Sequence, residues 1–368
     1  MTSTTVSLAN TTGFALVGCG RIAEKYSQIF ANGSLAGGRL IACCDVKEER
    51  ARKLAQRHAV PFYTDFRRMV ETHRDAIDVI CILTESGLHE EHAVALAPYG
   101  KHLVVEKPMA LTLDGADRMI AAADAAGIKL FVVKQNRYNL AVQQLRRAVD
   151  AGRFGKLVMG TVRVRWCRRQ DYYDQDAWRG TWAYDGGVFS NQASHHIDLL
   201  EWFLGEPVSV VAKSRTALVD IEAEDTGVAI VTFRNGALGV IEATTATRPK
   251  DLEGSLSLLG EKGTVEIGGF AVNSIKTWEF AEPRPEDAEV MQRYSENPPN
   301  VYGFSHLRYL ESVIDSIRDG APSLVDGLEG RKSLELIVSI YESIFQGREI
   351  ALRFSADKAP LGQRRSRS

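Results

Sequence analysis

A short apolar run near the start of the sequence ends in two closely spaced glycines. Residues 14–17 (FALV) lead into residues 18–23 (GCGRIA), which have the form G-x-G-x-x-A and are followed by a helical pattern. Gly18 permits a tight turn, Gly20 lets a pyrophosphate approach the backbone, and the small Ala23 lets the helix pack close to the strand. This arrangement predicts that the helix N-terminus faces the phosphates of a dinucleotide.

An acidic residue follows at the distance that such a site requires. Asp45 ends the second strand-like run, residues 40–45, and lies 22 residues beyond Ala23. A carboxylate there bonds the adenosine ribose hydroxyls and repels a 2′-phosphate, so the pattern favours NAD over NADP. Lys47 works in the opposite direction, because a cation there could accept a phosphate. The alternative is a glycine-rich turn with an Asp45 that only caps a helix.

A lysine follows the fourth strand-like run. Residues 102–106 lead into Lys107 and Pro108, and the carboxyl ends of strands in a doubly wound sheet face the ligand crevice. The proline stops the strand and fixes the local path in a trans or a cis peptide. A lysine beside a nicotinamide can hydrogen-bond the reacting oxygen and stabilise alkoxide character while hydride leaves. Taken alone, however, such a lysine is more often an exposed strand end.

A dense polar segment, residues 185–198 (DGGVFSNQASHHID), precedes an apolar helical pattern. His195 is suited to take a proton from a carbinol near neutral pH. Asn191 lies four residues earlier and shares a helix face with His195 if the helix starts that early. It would then orient the substrate or a catalytic partner, so we predict Lys107, His195 and Asn191 as the catalytic group. A His-His pair could instead bind a metal, but no third ligand has suitable spacing, and no metal is predicted.

The first half of the chain alternates strand-like runs with helical patterns, as a parallel α/β sheet requires. The predicted strands are residues 14–17, 40–45, 78–84, 102–106 and 129–134, and the helices are residues 21–32, 48–58, 90–99 and 116–126. From residue 155 onward crossover helices are nearly absent, which is typical of a largely antiparallel sheet. Its predicted strands are residues 156–168, 208–217, 226–233, 237–244, 255–259 and 263–266, with helices at 194–203, 306–318 and 328–345.

These elements predict two domains and a tail. The fold class is an α/β N-terminal Rossmann domain, residues 12–138, plus an α+β C-terminal domain with a largely antiparallel open sheet, residues 139–355. We expect the late helices to pack back on the Rossmann domain, and the tail, residues 356–368, to be disordered.

The composition excludes several classes of protein. A chain of 368 residues is too long for one ordinary core, and 45% hydrophobic with 25% charged residues is typical of a soluble globular protein. No apolar run is long enough to span a membrane, and the N-terminus lacks the features of a secretory signal, so a cytoplasmic location is expected. A net charge of −2 gives no general attraction to nucleic acid. The five cysteines lack metal-type spacing and are expected to be buried thiols.

Together these motifs resemble the Gfo/Idh/MocA oxidoreductase family over nearly the whole chain. The resemblance rests on residues 18–23, 88–89 (LH), 100–108 (GKHLVVEKP), 186–187 (GG) and 195–198 (HHID). It implies that Lys107 and His195 are catalytic, and that the outer face of the second sheet joins copies into a homodimer or homotetramer. Asn191 departs from the family, which usually has an aspartate there. A neutral amide cannot act as an ionised acid or base, so His195 and Lys107 must carry more of that role.

Four segments resemble one branch of that family: residues 134–139 (KQNRYN), 178–182 (WRGTW), 190–198 and 298–304 (PPNVYGF). The branch contains the UDP-N-acetylglucosaminuronate 3-dehydrogenases of bacterial surface-polysaccharide pathways. The resemblance implies oxidation of the C3 hydroxyl of an anionic sugar nucleotide. It also implies tightly held NADH, with 2-oxoglutarate as an acceptor that reoxidises it.

The predicted contacts form two sets. For the cofactor they are Gly18, Gly20, Arg21, Ile22, Asp45, Thr84, Ser86, His89, Glu106, Lys107, Asn136, Trp178 and Arg179. For the substrate they are Lys107, Gln135, Arg137, Asn139, Arg165, Arg168, Asn191, Gln192, His195 and Tyr302. Arginine is the side chain best suited to carboxylate and phosphate. Arg165 and Arg168 point to opposite faces of a strand, however, so an exposed face or subunit interface is an alternative. Two further alternatives remain. Residues 135–139 could form a solvated loop, and Trp178 could be a core residue.

Two other functions remain open at this stage. One is an inositol or other free-sugar dehydrogenase of the same family. The other is an NAD-binding redox sensor without catalysis, against which the pair Lys107 and His195 argues, because a sensor needs no proton acceptor beside the nicotinamide.

Overall fold

The computed structural model describes residues 11–31, 33–296 and 304–352. The strands in these ranges are β1 Thr12–Val17, β2 Gly38–Cys44, β3 Phe62–Tyr63, β4 Val79–Ile82, β5 His102–Val105, β6 Leu130–Val132, β7 Leu157–Arg165, β8 Pro207–Arg215, β9 Thr226–Phe233, β10 Leu238–Thr244, β11 Glu253–Gly260, β12 Gly263–Gly268, β13 Ser274–Phe280 and β14 Ile350–Ala351. The helices are α1 Arg21–Ala31, α2 Glu48–His58, α3 Phe66–Thr72, α4 His89–Leu96, α5 Leu113–Ala125, α6 Leu140–Asp150, α7 Gln170–Tyr173, α8 Ser194–Leu204, α9 Asp287–Arg293, α10 Ser305–Arg318 and α11 Gly327–Gln346.

The first sheet has six strands in the order β3-β2-β1-β4-β5-β6, and all its neighbouring strands are parallel. Its central strands β1 and β4 are buried along their whole length, as expected for a sheet covered by helices on both faces. The strand order reverses between β1 and β4, and open α/β sheets bind ligands at the carboxyl ends of the strands at that point. The predicted Rossmann domain is therefore confirmed.

The second sheet has eight strands in the order β13-β12-β11-β7-β10-β9-β8-β14. Its pairs are antiparallel except for β7 with β10. One face packs against α8 and α11 in a core that includes Val162, Leu200, Val231 and Leu336. The predicted C-terminal domain with a largely antiparallel sheet is confirmed.

The last two helices pack against the first sheet, and α11 also reaches the second. Tyr309 and Val313 of α10 pack with Phe14 of β1 in one apolar cluster. The N-terminal part of α11 lies against β6 so closely that a Cβ added to Gly330 would be 2.6 Å from Val132 Cγ2. Farther along the same helix, the hydroxyl of Ser343 accepts a hydrogen bond from the backbone N–H of Ala212 in β8, a strand of the second sheet. The helix α11 therefore fixes the second sheet relative to the first.

Among the residues described, no helix is long and apolar enough to cross a lipid bilayer. The sequence-based expectations for Tyr302 and for the tail, residues 356–368, lie outside the described residues.

Candidate active site

A cleft of about 1110 Å³ runs along the carboxyl ends of the parallel strands and continues to the second sheet. The predicted site residues that line it are Gly18, Gly20, Arg21, Ile22, Asp45, Thr84, Ser86, His89, Glu106, Lys107, Gln135, Arg168, Trp178, Arg179, Asn191, Gln192 and His195. Residues from eight separate parts of the chain thus meet in one place. Such convergence of polar groups in a large cleft is typical of a ligand-binding site.

The two glycines of the N-terminal turn differ in what surrounds them. Gly18 has a φ of +96°, and a Cβ added to it would lie 2.7 Å from the backbone carbonyl of Leu83. A Cβ added to Gly20 would meet no protein atom within 4 Å. The protein itself therefore requires glycine at position 18, whereas the space beside Gly20, at the N-terminus of α1, is free for a phosphate group. The turn fits the pyrophosphate of a dinucleotide.

This difference gives a paired prediction. We expect Gly18→Ala to lower the free energy of unfolding by about 2 kcal/mol or more, because alanine would be strained at positive φ and would overlap Leu83. We expect Gly20→Ala to leave the melting temperature of the ligand-free protein unchanged and to raise the Kd for NADH about tenfold or more, a loss of about 1.4 kcal/mol. Thermal unfolding and calorimetric titration with NADH measure the two quantities. Unchanged NADH affinity in Gly20→Ala would place the pyrophosphate elsewhere.

Asp45 is held at the end of β2 by backbone donors. Its Oδ2 accepts from the N–H of Cys19 at 2.8 Å, and its Oδ1 accepts from the N–H of Lys47 at 2.8 Å. These bonds fix the carboxylate beside the glycine turn, where it can accept from ribose hydroxyls. Lys47 and Arg50 line the same end of the cleft, and Arg50 is paired with Asp176 at 3.2 Å. The residues present fit NAD.

Lys107 follows β5 directly, and its peptide bond to Pro108 is cis. Its Nζ donates to the backbone oxygen of Asn191 at 2.9 Å and to the Oδ1 of Asn191 at 3.2 Å. Burial lowers the pKa of Lys107, while the carboxylates of Glu106 and Asp185 oppose that shift. The lysine is therefore not an exposed strand end but a half-buried amine in the wall of the cleft.

Asn191 lies in a turn and not on the helix of His195. The helix α8 begins at Ser194, and the N–H of Asn191 donates to the oxygen of Gly187 at 3.0 Å. The expectation that Asn191 and His195 share a helix face is therefore wrong, because the helix starts too late. The two side chains nevertheless line the same cleft, since the turn brings Asn191 against Lys107.

His195 is 8% exposed at the start of α8. Its Nε2 lies 2.9 Å from Nε2 of Gln135, while its Nδ1 and the Oε1 of Gln135 lack hydrogen-bond partners within the described part of the chain. With the Gln135 amide turned over, Oε1 would accept from Nε2–H, and Nδ1 would keep a free lone pair. Burial first, and then the cations Lys107 and Lys134, hold the pKa of His195 well below its usual value. The imidazole is therefore neutral near pH 7.

The neighbouring His196 has a different position. It is fully buried, packs edge-on against Trp166 at 5.8 Å, and does not line the cleft. No group of three or more potential metal-ligating His, Cys, Asp or Glu side chains occurs in residues 11–31, 33–296 and 304–352. The described structure thus offers the His-His pair no third ligand.

Three residues predicted to contact the substrate do not face the cleft. Arg137 is buried in ion pairs with Asp198 at 2.8 Å and Glu329 at 3.0 Å. Asn139 donates to the backbone oxygens of residues 271 and 272, and Arg165 pairs with two glutamates on the outer face of the second sheet. In each case acceptors within the protein already occupy the side chain, so these expectations are corrected.

Two predicted cofactor contacts also need comment. Asn136 is buried but does not line the cleft, because only Gln135 of the short turn Gln135–Tyr138 points into it. His89 lines the cleft, but its ring nitrogens lie 2.8 Å from the oxygen of Pro108 and 3.0 Å from the oxygen of Thr84. The imidazole of His89 therefore connects the ends of two strands, and its nitrogens face backbone.

Two residues of the site carry no signal in the sequence. Tyr172 lines the cleft with the guanidinium groups of Arg21, Arg168 and Arg179 packed over its ring, and its hydroxyl accepts from Arg179 Nη1 at 2.9 Å. Asp185 is buried behind Asn191 and accepts a hydrogen bond from its Nδ2. A tyrosine after an arginine-rich strand and an aspartate before two glycines are ordinary patterns, so only the structure identifies them.

Comparison with known proteins agrees with this geometry. The model of the oxidoreductase family's NAD-binding Rossmann fold matches residues 12–134, and the model of its C-terminal alpha/beta domain matches residues 146–352. The chain is similar to the WlbA dehydrogenase from Bordetella pertussis in complex with NADH and UDP-GlcNAcA. The two are 41% identical, with 94% of this chain and 99% of that chain covered, and the TM-score is 0.86.

Two further relatives show how broad the similarity is. The WlbA dehydrogenase from Chromobacterium violaceum, also in complex with NADH and UDP-GlcNAcA, is 42% identical over 94% of this chain and 97% of that chain, with a TM-score of 0.87. Myo-inositol 2-dehydrogenase from Thermotoga maritima is 27% identical over 92% of this chain and 97% of its own length.

The two family models together cover most of the chain, and the cleft lies where the Rossmann fold binds NAD. NAD is thus the cofactor, and the protein is an NAD-dependent dehydrogenase that acts on CH–OH groups rather than a sensor without catalysis. The chain belongs to the Gfo/Idh/MocA oxidoreductase family.

Proposed function

We propose that the protein oxidises the C3 hydroxyl of UDP-N-acetylglucosaminuronate to the 3-keto sugar. One observation carries the proposal: Lys107 and His195 line one cleft together with Arg168 and Arg179. Arg179 is 9% exposed, and its Nε has no acceptor within the described ranges. Such a buried donor favours an anionic ligand group. The two similar structures bound to NADH and UDP-GlcNAcA further support it.

In the proposed reaction each side chain has one task. Bound NAD⁺ supplies the acceptor for the hydride that leaves C3. The ammonium of Lys107 donates a hydrogen bond to the substrate oxygen and stabilises the negative charge that develops on it. Neutral His195 takes the proton of the hydroxyl, so the C–H hydride and the O–H proton leave and a ketone remains. Gln135 orients the imidazole through the contact of 2.9 Å.

The proposal extends to assembly and location. Apolar side chains on the outer face of the second sheet are 39–48% exposed: Val211, Val228, Ile230, Leu238 and Leu259. Strand pairing places Val211 next to Ile230, and this face also carries the ion pairs of Arg165. An exposed apolar patch of this kind favours a contact between copies in a homodimer or homotetramer. All five cysteines are free thiols, which favours a reducing, cytoplasmic location.

We expect the purified protein, incubated with UDP-N-acetylglucosaminuronate and 2-oxoglutarate, to produce the 3-keto sugar and 2-hydroxyglutarate. In this cycle the sugar reduces bound NAD⁺, and the NADH formed then reduces 2-oxoglutarate. Mass spectrometry identifies both products, and light scattering of the same sample should give two or four times the 40.6 kDa of one chain. UDP-N-acetylglucosamine, which lacks the carboxylate, is the matched control substrate.

The second candidate is an inositol dehydrogenase, which the myo-inositol 2-dehydrogenase relative favours. Under this alternative the protein would form NADH in bulk with myo-inositol and would ignore the UDP-sugar. Steady-state rates with both substrates distinguish the candidates. Turnover of myo-inositol alone would refute the sugar-nucleotide proposal.

A further inference from the structure

A buried aspartate stands behind the amide that contacts Lys107. Asp185 is 1% exposed, its Oδ2 accepts from the N–H of Gly180 at 2.8 Å, and its Oδ1 accepts from Nδ2 of Asn191. The Oδ1 of the same amide accepts from Lys107 Nζ at 3.2 Å. A continuous chain of hydrogen bonds thus runs from a buried carboxylate through a neutral amide to the amine.

We propose that Asp185 is a positioning residue that holds Asn191 with its oxygen toward Lys107, so that one N–H of the amine remains directed at the reacting oxygen. The proposal rests on the role of Lys107 given under the proposed function. It adds a residue that touches neither substrate nor cofactor but acts through Asn191.

The orientation of the amide follows from the chemistry of its neighbours. An ionised carboxylate only accepts hydrogen bonds, so the NH₂ group of Asn191 must face Asp185 and its oxygen must face the ammonium. An ammonium has three N–H donors. Two are used by the backbone oxygen and Oδ1 of Asn191, and one is left for a ligand. With a neutral amide at position 185 the side chain of Asn191 could turn over and present its NH₂ to Lys107.

With a carboxylate at position 185, a neutral side chain at position 191 avoids a second negative charge in contact with the first. A carboxylate at 191 would lie within hydrogen-bonding distance of Asp185, and two carboxylates so close share one proton. Asp185 interacts electrostatically with four titratable groups, those of Lys107, Arg179, Glu224 and Tyr173. Burial raises the pKa of Asp185, while the N–H of Gly180, the amide of Asn191 and the charge of Lys107 oppose that shift. Two carboxylates, Glu106 and Asp185, thus act on Lys107, and Asp185 does so through the amide of Asn191.

Exchanging the two side chains tests this proposal. We expect Asp185→Asn to lower kcat for the UDP-sugar at least tenfold, with KM and the Kd for NADH within about twofold of wild type. Asn191→Asp should also lower kcat, because its carboxylate competes with Asp185. The double variant Asp185→Asn/Asn191→Asp should recover to within about fivefold of wild type, since it again has one carboxylate and one amide. Losses that simply multiply in the double variant would overturn the proposal.

Glu224→Gln is the matched control for loss of a buried carboxyl group. Glu224 accepts from the N–H of Phe189 and from the hydroxyl of Tyr341, in the same segment of chain but without contact to Asn191. The kcat of the Glu224→Gln variant should stay near that of wild type. If Asp185→Asn does not fold, Asn191→Ala provides the test: it should lose kcat with a similar KM, and Asp185→Glu should retain more activity than Asp185→Ala.

A measurement without substrate separates this proposal from the sugar-nucleotide proposal. The rate at which Lys107 is acetylated by acetic anhydride, followed by mass spectrometry across a pH series, reports the pKa of its amine. Asp185→Asn should lower that pKa, because a negative charge that opposes the shift is removed. The double variant, with its carboxylate directly beside Nζ, should bring the pKa back to the wild-type value or above it. An unchanged Lys107 pKa in Asp185→Asn would refute the proposal even if the enzyme never acts on UDP-N-acetylglucosaminuronate.

Discussion

Replacing Lys107 by methionine should lower kcat for alcohol oxidation by about 10³-fold, while NADH binds with the affinity of wild type. Removing a single neutral donor from an oxyanion site costs about 10²–10³ in kcat, and Lys107 also carries a positive charge. Methionine has similar length and no donor, so it deletes the interaction without opening a large cavity. Steady-state kinetics with UDP-N-acetylglucosaminuronate and calorimetric titration with NADH measure the two effects separately.

The chain offers a matched control for this substitution. Lys101 precedes β5, at the opposite end of the strand from Lys107, and does not line the cleft. Lys101→Met should therefore keep the kcat of wild type. A Lys107→Met enzyme with more than a tenth of the wild-type kcat would show that the lysine does not stabilise the reacting oxygen. Loss of NADH binding in the same variant would assign Lys107 to the cofactor instead.

The fold was predictable from the sequence because the buried strands are short, continuous apolar runs. The five predicted N-terminal strands are confirmed as β1, β2, β4, β5 and β6. Parallel strands covered on both faces read as runs of Val, Ile, Leu and Cys with no polar interruption. The reversal of strand order between β1 and β4 then places the ligand cleft without further information.

Sequence reasoning missed several elements, and three of them show why. The strand β3 is only two residues long, which is too short for any periodicity. In β13 the buried residues Ile275 and Trp278 are three apart because the pairing with β12 shifts by one residue, so the alternation expected of a strand is lost. The helix α6 has buried residues at helical spacing, so periodicity alone would have been sufficient to predict it.

Residue types alone do not determine which polar side chains face the cleft. Arg137 follows the last Rossmann strand at a suitable place for a substrate contact, but Asp198 and Glu329, 61 and 192 residues farther along the chain, pair with it. Such partners become visible only when the fold brings distant segments together. The role of Asp185 could not be predicted from the sequence for the same reason. It depends on the turn that places Asn191 between Asp185 and Lys107. Sequence reasoning named Lys107, His195 and Asn191, which all line the cleft, but not Asp185 behind Asn191.

His195→Gln should lower kcat by about 10²–10⁴-fold, the usual contribution of a general base. Its effect on pH dependence is more diagnostic. The base must be neutral to accept a proton, so wild-type kcat should fall as pH decreases through the pKa of His195. Because burial and the neighbouring cations hold that pKa well below 6.5, the wild-type profile should be flat from pH 8 to 6.5 and decline only at lower pH. Glutamine does not titrate, so the acid limb due to residue 195 should be absent from the variant.

His73→Gln is the control for this last prediction. His73 is half-buried beside Tyr63, 2.9 Å from its hydroxyl, and does not line the cleft. Its profile of kcat against pH should coincide with that of wild type. A wild-type acid limb with its midpoint above 6.5 would mean that bound substrate raises the pKa of His195, or that another group titrates. If the acid limb persists in His195→Gln, a group other than His195 titrates, and His195 is not the base. Lys107, which lines the same cleft, would then be the next residue to test as the proton acceptor.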